Sequence, residues 1–437
     1  MTDGKGYDRH ERRRHAEAIL RAAIAASDPA PLVERALRGA VELEAGANVR
    51  VIAIGKAAPA MAGAALRVLG DRVVRGLIVA PHGTPAPTGA LFGGHPVPDE
   101  DSVAAGRAVL DELEAAGPDE TVVVLLSGGA SACVALPLGD IAVSSYADCI
   151  TRLMRSGADI TQLNTVRKHI DGLKGGRMAV RAAPTPVLGL VLSDVVGDPL
   201  DVIASGPLSP DPTRADDARQ VLQRHGLLYD CDDAIRAVLE SDHGESPDEE
   251  DPRFENVRVR VIGGNDVAVE GAALAAEELG YRVRRATRPV TGPAREAGYT
   301  LAREARILQG EDGLPVCIVA GGETTMAVQG SGRGGRNQEL VLAGCLALDG
   351  RAGITIASVG TDGVDGNTDA AGAIADEATP AAAAAAGADV RTILDDNDSY
   401  SYFTATDGLV MTGPTGTNVN DVHIALIAQP GRVLPPP

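Results

Sequence analysis

The chain alternates short β-branched runs with alanine-rich helical segments, and several of the runs end in a glycine turn that carries a charged or hydroxyl residue. NVRVIAIG (48–55) runs into KAAPAMAGAAL, TVVVLLSGG (121–129) into ASACVALP, and CIVAGG (317–322) into ETTMAVQ. Strands buried on both faces read as continuous apolar runs, and helices between them act as crossovers in a parallel sheet. The pattern predicts an α/β protein with mainly parallel sheets in both halves. Ligands of such sheets bind beyond the carboxyl ends of the strands. The glycine turns are therefore the expected site, with two rows of loops facing across an interdomain cleft.

A chain of 437 residues exceeds one ordinary core. The acidic, proline-bearing run ESDHGESPDEEDP (240–252) reads as a surface linker, giving domains at 1–252 and 253–430. The proline tail reads as unstructured. Asp and Glu number 60 against 40 Lys and Arg, a net charge of −20. That balance argues against nucleic acid or an anionic membrane as partner. Aromatic residues make up 2% and Trp is absent, so stacking platforms for single strands are not expected either. The five cysteines show no paired spacing and fit a reduced compartment. No run reaches transmembrane length and the first residues lack an apolar signal core, so a cytoplasmic protein is expected, as monomer or homodimer. Scarce lysine with abundant carboxylates also suggests adaptation to concentrated salt.

Only four lysines occur, at 5, 56, 168 and 174. Lys56 is kept where the first strand meets a helix N-terminus, a place suited to an anion. Ser127, Gly128, Gly129 and Ser131 form a second turn whose backbone N–H groups could donate to phosphate oxygens. Arg167, Lys168, Lys174 and Arg177 cluster in one short span, which points to an acidic or phosphorylated ligand. In the second half, GSGRGGRNQE (330–339) is a glycine loop opening onto a helix, and Gly332, Arg333, Gly334, Arg336 and Asn337 are expected to present free amides and guanidinium forks. Asp194, Glu323 and Asp362 stand after strands and could hold Mg²⁺ through oxygen ligands or act as base. His82 and His95 lie in a Pro/Gly-rich loop, where histidines are more often neither ligand nor base.

Taken together, GKAAPAMA, LLSGGASACVALP, LNTVRKHIDGLKGGRMA, VLSDVVGDPLDVIASGP, GGETTMAVQGSGRGGRNQE, GTDGVDGNTDAAGAI, DNDSYSYF and TGPTGTNVND, in this order, resemble the glycerate 2-kinases that carry a MOFRL domain. The resemblance covers nearly the whole chain. It implies a Rossmann-like N-terminal domain, a smaller α/β C-terminal domain, and ATP- and Mg²⁺-dependent phosphorylation of D-glycerate to 2-phosphoglycerate. It would place Lys56 and Arg336 at the active site. Asp194 is then a candidate metal ligand or base, and Arg167, Lys168 and Asn337 are candidate substrate contacts. Two alternatives stand beside it. One is an NAD(P)H-dependent hydroxypyruvate reductase, although the turn after the first strand reads GKAAPA and lacks G-x-G-x-x-G. The other is a non-catalytic nucleotide or metabolite sensor.

Overall fold

The computed structural model describes residues 8–41, 43, 46–311, 315–388 and 390–428; the proline tail lies outside them. The chain divides into two compact units, residues 29–263 and residues 1–28 with 264–437.

The first unit holds a six-stranded sheet of β1 (Asn48–Ile54), β2 (Val73–Pro81), β3 (Leu91–Gly93), β4 (Glu120–Leu126), β5 (Val187–Leu192) and β6 (Val257–Gly263). Their spatial order is β3-β2-β1-β4-β5-β6 and every neighbouring pair is parallel. This is the doubly wound dinucleotide-fold order, in which the chain reverses direction between β1 and β4 and leaves a crevice there. The strands β1, β4 and β5 are buried almost throughout, as their unbroken apolar runs require.

The second unit holds a seven-stranded sheet of β7 (Arg282–Arg285), β8 (Val290–Pro293), β9 (Val316–Thr325), β10 (Ile354–Gly360), β11 (Gly372–Ala375), β12 (Leu409–Val410) and β13 (Asp421–Ile427). It is mixed, contrary to the parallel sheet expected for this half. β7 and β8 pair with β9 in parallel, but β13 lies antiparallel between β9 and β10, and β11 and β12 continue antiparallel. β9 runs on through Gly321 and Gly322 to Thr325, and 326–329 are irregular. The helices Ala294–Gln309 and Arg336–Leu348 bury Leu301, Ala305, Leu340 and Cys345 with Ile318, Ile356 and Ala425 in one core. Among the described residues no helix is long and apolar enough to cross a membrane.

The unit boundaries differ from the expected 252/253 division at both ends. Residues 240–252 are no linker. The guanidinium of Arg177 is buried and donates to the carbonyls of His243, Gly244 and Glu245 and to Ser246 Oγ, tying the acidic run onto the first unit. β6 then closes that unit's sheet beside β5. The helix Arg9–Ala26 belongs with the second unit. Its Arg12 is 1% exposed, donates to both carboxylate oxygens of Glu377 at 2.6 Å, and donates to Thr355 at 3.3 Å. Thr417 Oγ1 donates to the Ser27 carbonyl at 2.7 Å.

Candidate active site

In the first unit, the turns after β1 and β4 meet at the point where the strand order reverses. The Lys56 amide donates to the Gly128 carbonyl at 2.9 Å. The Ala57 amide donates to Ser127 Oγ at 3.0 Å, and that hydroxyl donates to the Ile54 carbonyl at 3.3 Å. Ser127 is thus spent on joining the two turns and has no hydroxyl proton left for a phosphate. Glycine is required here by crowding. A methyl on Gly55, whose φ is +117°, would sit 2.5 Å from Ser127 Oγ, and one on Gly128 would collide with the Asp194 carboxylate. Gly129 (φ +86°) opens the short helix Ala130–Cys133. The amides of Gly128, Gly129 and Ser131 make no hydrogen bond among the described residues and are open to anion oxygens.

The Ser131 hydroxyl behaves differently from its amide. Asn164 Nδ2 donates to the Val202 carbonyl at 3.1 Å, so its Oδ1 receives the Ser205 hydroxyl at 2.9 Å. Ser205 has one proton, so across the 2.8 Å contact Ser131 is the donor. This relay fixes Ser131 and leaves its side chain only acceptor capacity.

Of the expected basic cluster, one member lacks an internal partner. Lys168 is 3% exposed and pairs with Asp211 at 3.2 Å and Asp201 at 3.5 Å. Lys174 is buried on Asp171 at 2.7 Å and on the Val134 carbonyl at 2.9 Å. These cations are structural, so Lys168 is corrected from a substrate contact to a buried ion pair. Arg167 is 7% exposed, and its guanidinium has no hydrogen bond or ion pair among the described residues. Burial holds its pKa below the ordinary value, against the opposite pull of Tyr146 and Asp171. The Lys56 ammonium likewise has no partner among the described residues. A buried cation without compensation, such as Arg167, is costly.

In the second unit, the glycine loop departs from expectation. Gln329 and Gly330 donate their amides to Asn397 Oδ1 at 2.8 and 3.2 Å, and Ser331 donates to Asp396 Oδ1 at 2.8 Å. Gly332 donates to the Asp396 carbonyl at 2.9 Å, Arg333 to Asp398 Oδ1 at 3.1 Å, and Gly334 to Asn367 Oδ1 at 2.9 Å. The next helix begins at Arg336, and Asp365 accepts the amides of Asn337 and Gln338 at 3.0 and 2.9 Å. Gly332, Arg333 and Gly334 therefore present no free amides, because acidic loops of the same unit already fill the anion positions. Burial pushes the Asp365 carboxyl up to about 6 despite these donors. The Arg333 guanidinium lies 4.2 Å over the Tyr400 ring. Asn337 is 1% exposed; its Oδ1 accepts from Ser358 and its Nδ2 donates to Asp365 at 3.2 Å, so it positions the helix and does not face a substrate.

Arg336 sits at the ends of β9 and β13. Its Nε and Nη2 donate to the fully buried Asp421 at 2.7 and 3.0 Å, and its Nη1 donates to Glu323 at 2.6 Å. Burial works against this guanidinium, but the two carboxylates more than offset it and raise its pKa. Burial lifts the Asp421 carboxyl, and Arg336 opposes that rise. Asp362 lies beside Gly360, close to Asp421, with its Oδ1 on the Val364 amide at 3.1 Å. Two carboxylates hold this guanidinium and Asp362 lies beside Asp421, so carboxylates outnumber the cation here. Among the described residues, the group of three metal-ligating side chains with donor atoms within 4.8 Å of one another is His82, Asp99 and Asp101, which includes none of Asp194, Glu323 and Asp362.

Sequence reasoning passed over His95 and Asp421. His95 follows β3, and its ring has no partner among the described residues. Partial desolvation lowers its pKa, and the charges of Lys56 and Arg167 lower it further. Asp421 was readable only as the last residue of TNVND before the final strand.

A domain of unknown function, DUF4147, matches residues 15–240, and the MOFRL family matches residues 316–421. A protein of Thermotoga maritima named D-glycerate 2-kinase is 41% identical over 87% of this chain and 91% of its own length. A protein of Agrobacterium vitis with a provisional hydroxypyruvate reductase name is 38% identical over 94% of this chain and 93% of its own length. The crystal structure of glycerate kinase from Thermotoga maritima superposes with a TM-score of 0.87 at 38% identity, covering 96% of this chain and all of that one.

Proposed function

Because this chain belongs to the glycerate 2-kinase family, we propose that it transfers the γ-phosphoryl group of ATP to the 2-hydroxyl of D-glycerate. The observation that supports this reading is a pair of cations, Lys56 and Arg167, without internal partners among the described residues, in the unit whose strand order forms a dinucleotide-fold crevice. In a chain of net charge −20 carboxylates are plentiful, and yet neither cation is paired among the described residues.

Phosphoryl transfer needs positioning and charge neutralisation more than covalent help. Arg167 takes the glycerate carboxylate with its fork, which replaces the partner its guanidinium lacks. Lys56 and the amides of Gly128, Gly129 and Ser131 take phosphate oxygens. Arg336 is held on two nitrogens by Asp421, and the half-exposed Glu323 holds the third. A phosphate oxygen displacing Glu323 would gain a rigid, charged donor. Glu323 and Asp362, both in the second unit, offer oxygen ligands of the kind Mg²⁺ takes. Asp362 Oδ2 makes no bond among the described residues, and the anionic character of its cluster favours a cation. When bound, Mg²⁺ would screen the charge of the nucleotide phosphates.

The test is ADP release from Mg-ATP and D-glycerate, with enolase added to convert 2-phosphoglycerate into phosphoenolpyruvate. Both signals together support the reading. ADP without phosphoenolpyruvate refutes the 2-position. Hydroxypyruvate-dependent oxidation of NAD(P)H without ADP release refutes the kinase.

A further inference from the structure

We propose that His95 is the general base that accepts the proton of the substrate 2-hydroxyl, an assignment that rests on the glycerate kinase reading above. The imidazole stands at the strand-end crevice of the first unit. A methyl built on Gly129 would lie 3.1 Å from His95 Cδ2, 3.4 Å from its Nε2 and 3.5 Å from Lys56 Cγ. One glycine Cα therefore separates the imidazole edge from the lysine stem, and the Gly129 amide between them is unbonded among the described residues.

The placement suits a base. In a 2-hydroxy acid the carbinol is bonded directly to the carboxylate carbon. An acid held by its carboxylate on Arg167 would present its 2-hydroxyl within a few ångströms of that guanidinium, whose charge is felt at His95. The 3-hydroxyl lies one carbon further out. The 2-hydroxyl is therefore the nearer of the two hydroxyls to the anchored carboxylate. The charged groups that bear on His95 are Lys56 from the turn after β1 and Arg167 from the helix Ile160–Ile170. Asp194 stands across the Gly128 turn. Asp99 is committed to His82 at 2.9 Å and to the amides of Gly94 and Ser102 at 3.1 and 2.9 Å, so it is not the orienting acid of His95. Partial desolvation, and after it the charges of Lys56 and Arg167, lower the imidazole pKa and so favour the neutral form, which can accept a proton.

The step balances with the substrates already named. The glycerate 2-oxygen forms a bond to the γ-phosphorus, and the bond from that phosphorus to the β,γ-bridging oxygen breaks with its electron pair leaving on ADP. The hydroxyl proton passes to the imidazole and then to solvent.

The test is kcat and KM for D-glycerate with saturating Mg-ATP, between about pH 5 and 9, for wild-type enzyme, H95N, H95Q and D194N. General base catalysis contributes roughly 100- to 10,000-fold. Both His95 variants should lose at least about 100-fold in kcat with KM changed less than about threefold, and the acid limb of the wild-type profile should vanish from their residual activity. Unchanged thermal midpoints would separate this from a folding defect. Glycerate should also shift the His95 imidazole ¹⁵N resonances of the wild type, a readout independent of turnover. A His95 variant with kcat near wild type, or one that keeps the acid limb while D194N loses it, overturns the assignment. Wild-type enzyme that releases no ADP with glycerate overturns the kinase reading itself, and is seen before any variant is made.

Discussion

Replacing Arg167 by methionine should stabilise the free protein while disabling it. Arg167 is 7% exposed, and its guanidinium has no partner among the described residues. A buried donor left unmade costs about 1–3 kcal/mol, and more when the group is charged. Methionine spans nearly the same length and buries without a polar atom. R167M should therefore gain roughly 1–3 kcal/mol, which in a unit of this size is about 2–4 °C in Tm per kcal/mol. The same change removes a charge-assisted bond to the substrate, worth about 1.5–3 kcal/mol, or roughly 10- to 150-fold in kcat/KM. R167K keeps the charge but loses the planar fork and should fall between. Differential scanning calorimetry without ligand and steady-state kinetics on the same preparations check both halves. Glycerate should raise the Tm of wild type but not of R167M. A destabilised R167M whose activity falls only in proportion to its folded fraction would show that Arg167 is a structural residue, and would refute the reasoning.

G129A combines a φ of +86° with a contact at 3.1 Å to His95; strain of about 1–2 kcal/mol and a displaced imidazole should lower kcat while leaving the protein folded, read by activity and thermal midpoint together. His423 is buried, its Nδ1 lies 2.7 Å from Ser358 Oγ, and burial first and Arg336 second hold its pKa down at about 3. A folded pKa depressed below the unfolded value of 6.5 means that stability is lost as pH falls from about 6.5 towards 3, on the order of 4–5 kcal/mol in full. Asp365, lifted to about 6, acts in the opposite direction between pH 6 and 4, so the informative quantity is the difference between wild type and H423Q, which should narrow as pH is lowered in denaturant titrations. R12A strands Glu377 inside the second unit and should cost about 3–5 kcal/mol, with loss of amide-exchange protection in residues 264–428 rather than in 29–263. The net charge of −20 should make the thermal midpoint rise with salt well beyond about 0.5 M; a flat response would remove the salt-adaptation reading.

The first sheet was readable because its causes are local. Each buried parallel strand is a continuous apolar run, and each ends in the glycine that its turn needs, so β1, β4 and β5 and the Lys56 and Ser127–Gly129 turns were placed by inspection. The second sheet was misread as parallel because β13 inserts between β9 and β10, and a strand buried on both faces looks the same in either direction. The division read from the sequence and the two compact units differ for two reasons of the same kind. An acidic run looks like a linker unless the buried Arg177 that holds its carbonyls is known, and an N-terminal helix looks like part of the following domain unless Arg12 is seen to reach Glu377.

The charged residues bring these cases under one physical rule. Residue type and spacing say where cations gather, but whether a cation is available to a ligand depends on which carboxylates the fold brings to it from far along the chain. Lys168 and Arg336 stand in motifs as suggestive as those of Lys56 and Arg167. The first is closed off by Asp211, 43 residues away, and the second is clamped by Asp421, 85 residues away. The same holds for backbone donors, since the amides of Gly332–Gly334 are filled by Asp396, Asp398 and Asn367 while those of Gly128 and Gly129 stay open. With 60 carboxylates competing for 40 cations, pairing is the default. The cations and amides without an internal partner among the described residues are therefore the more informative ones, and in the first unit Lys56 and the amides of Gly128 and Gly129 lie on the turns after β1 and β4, beside His95.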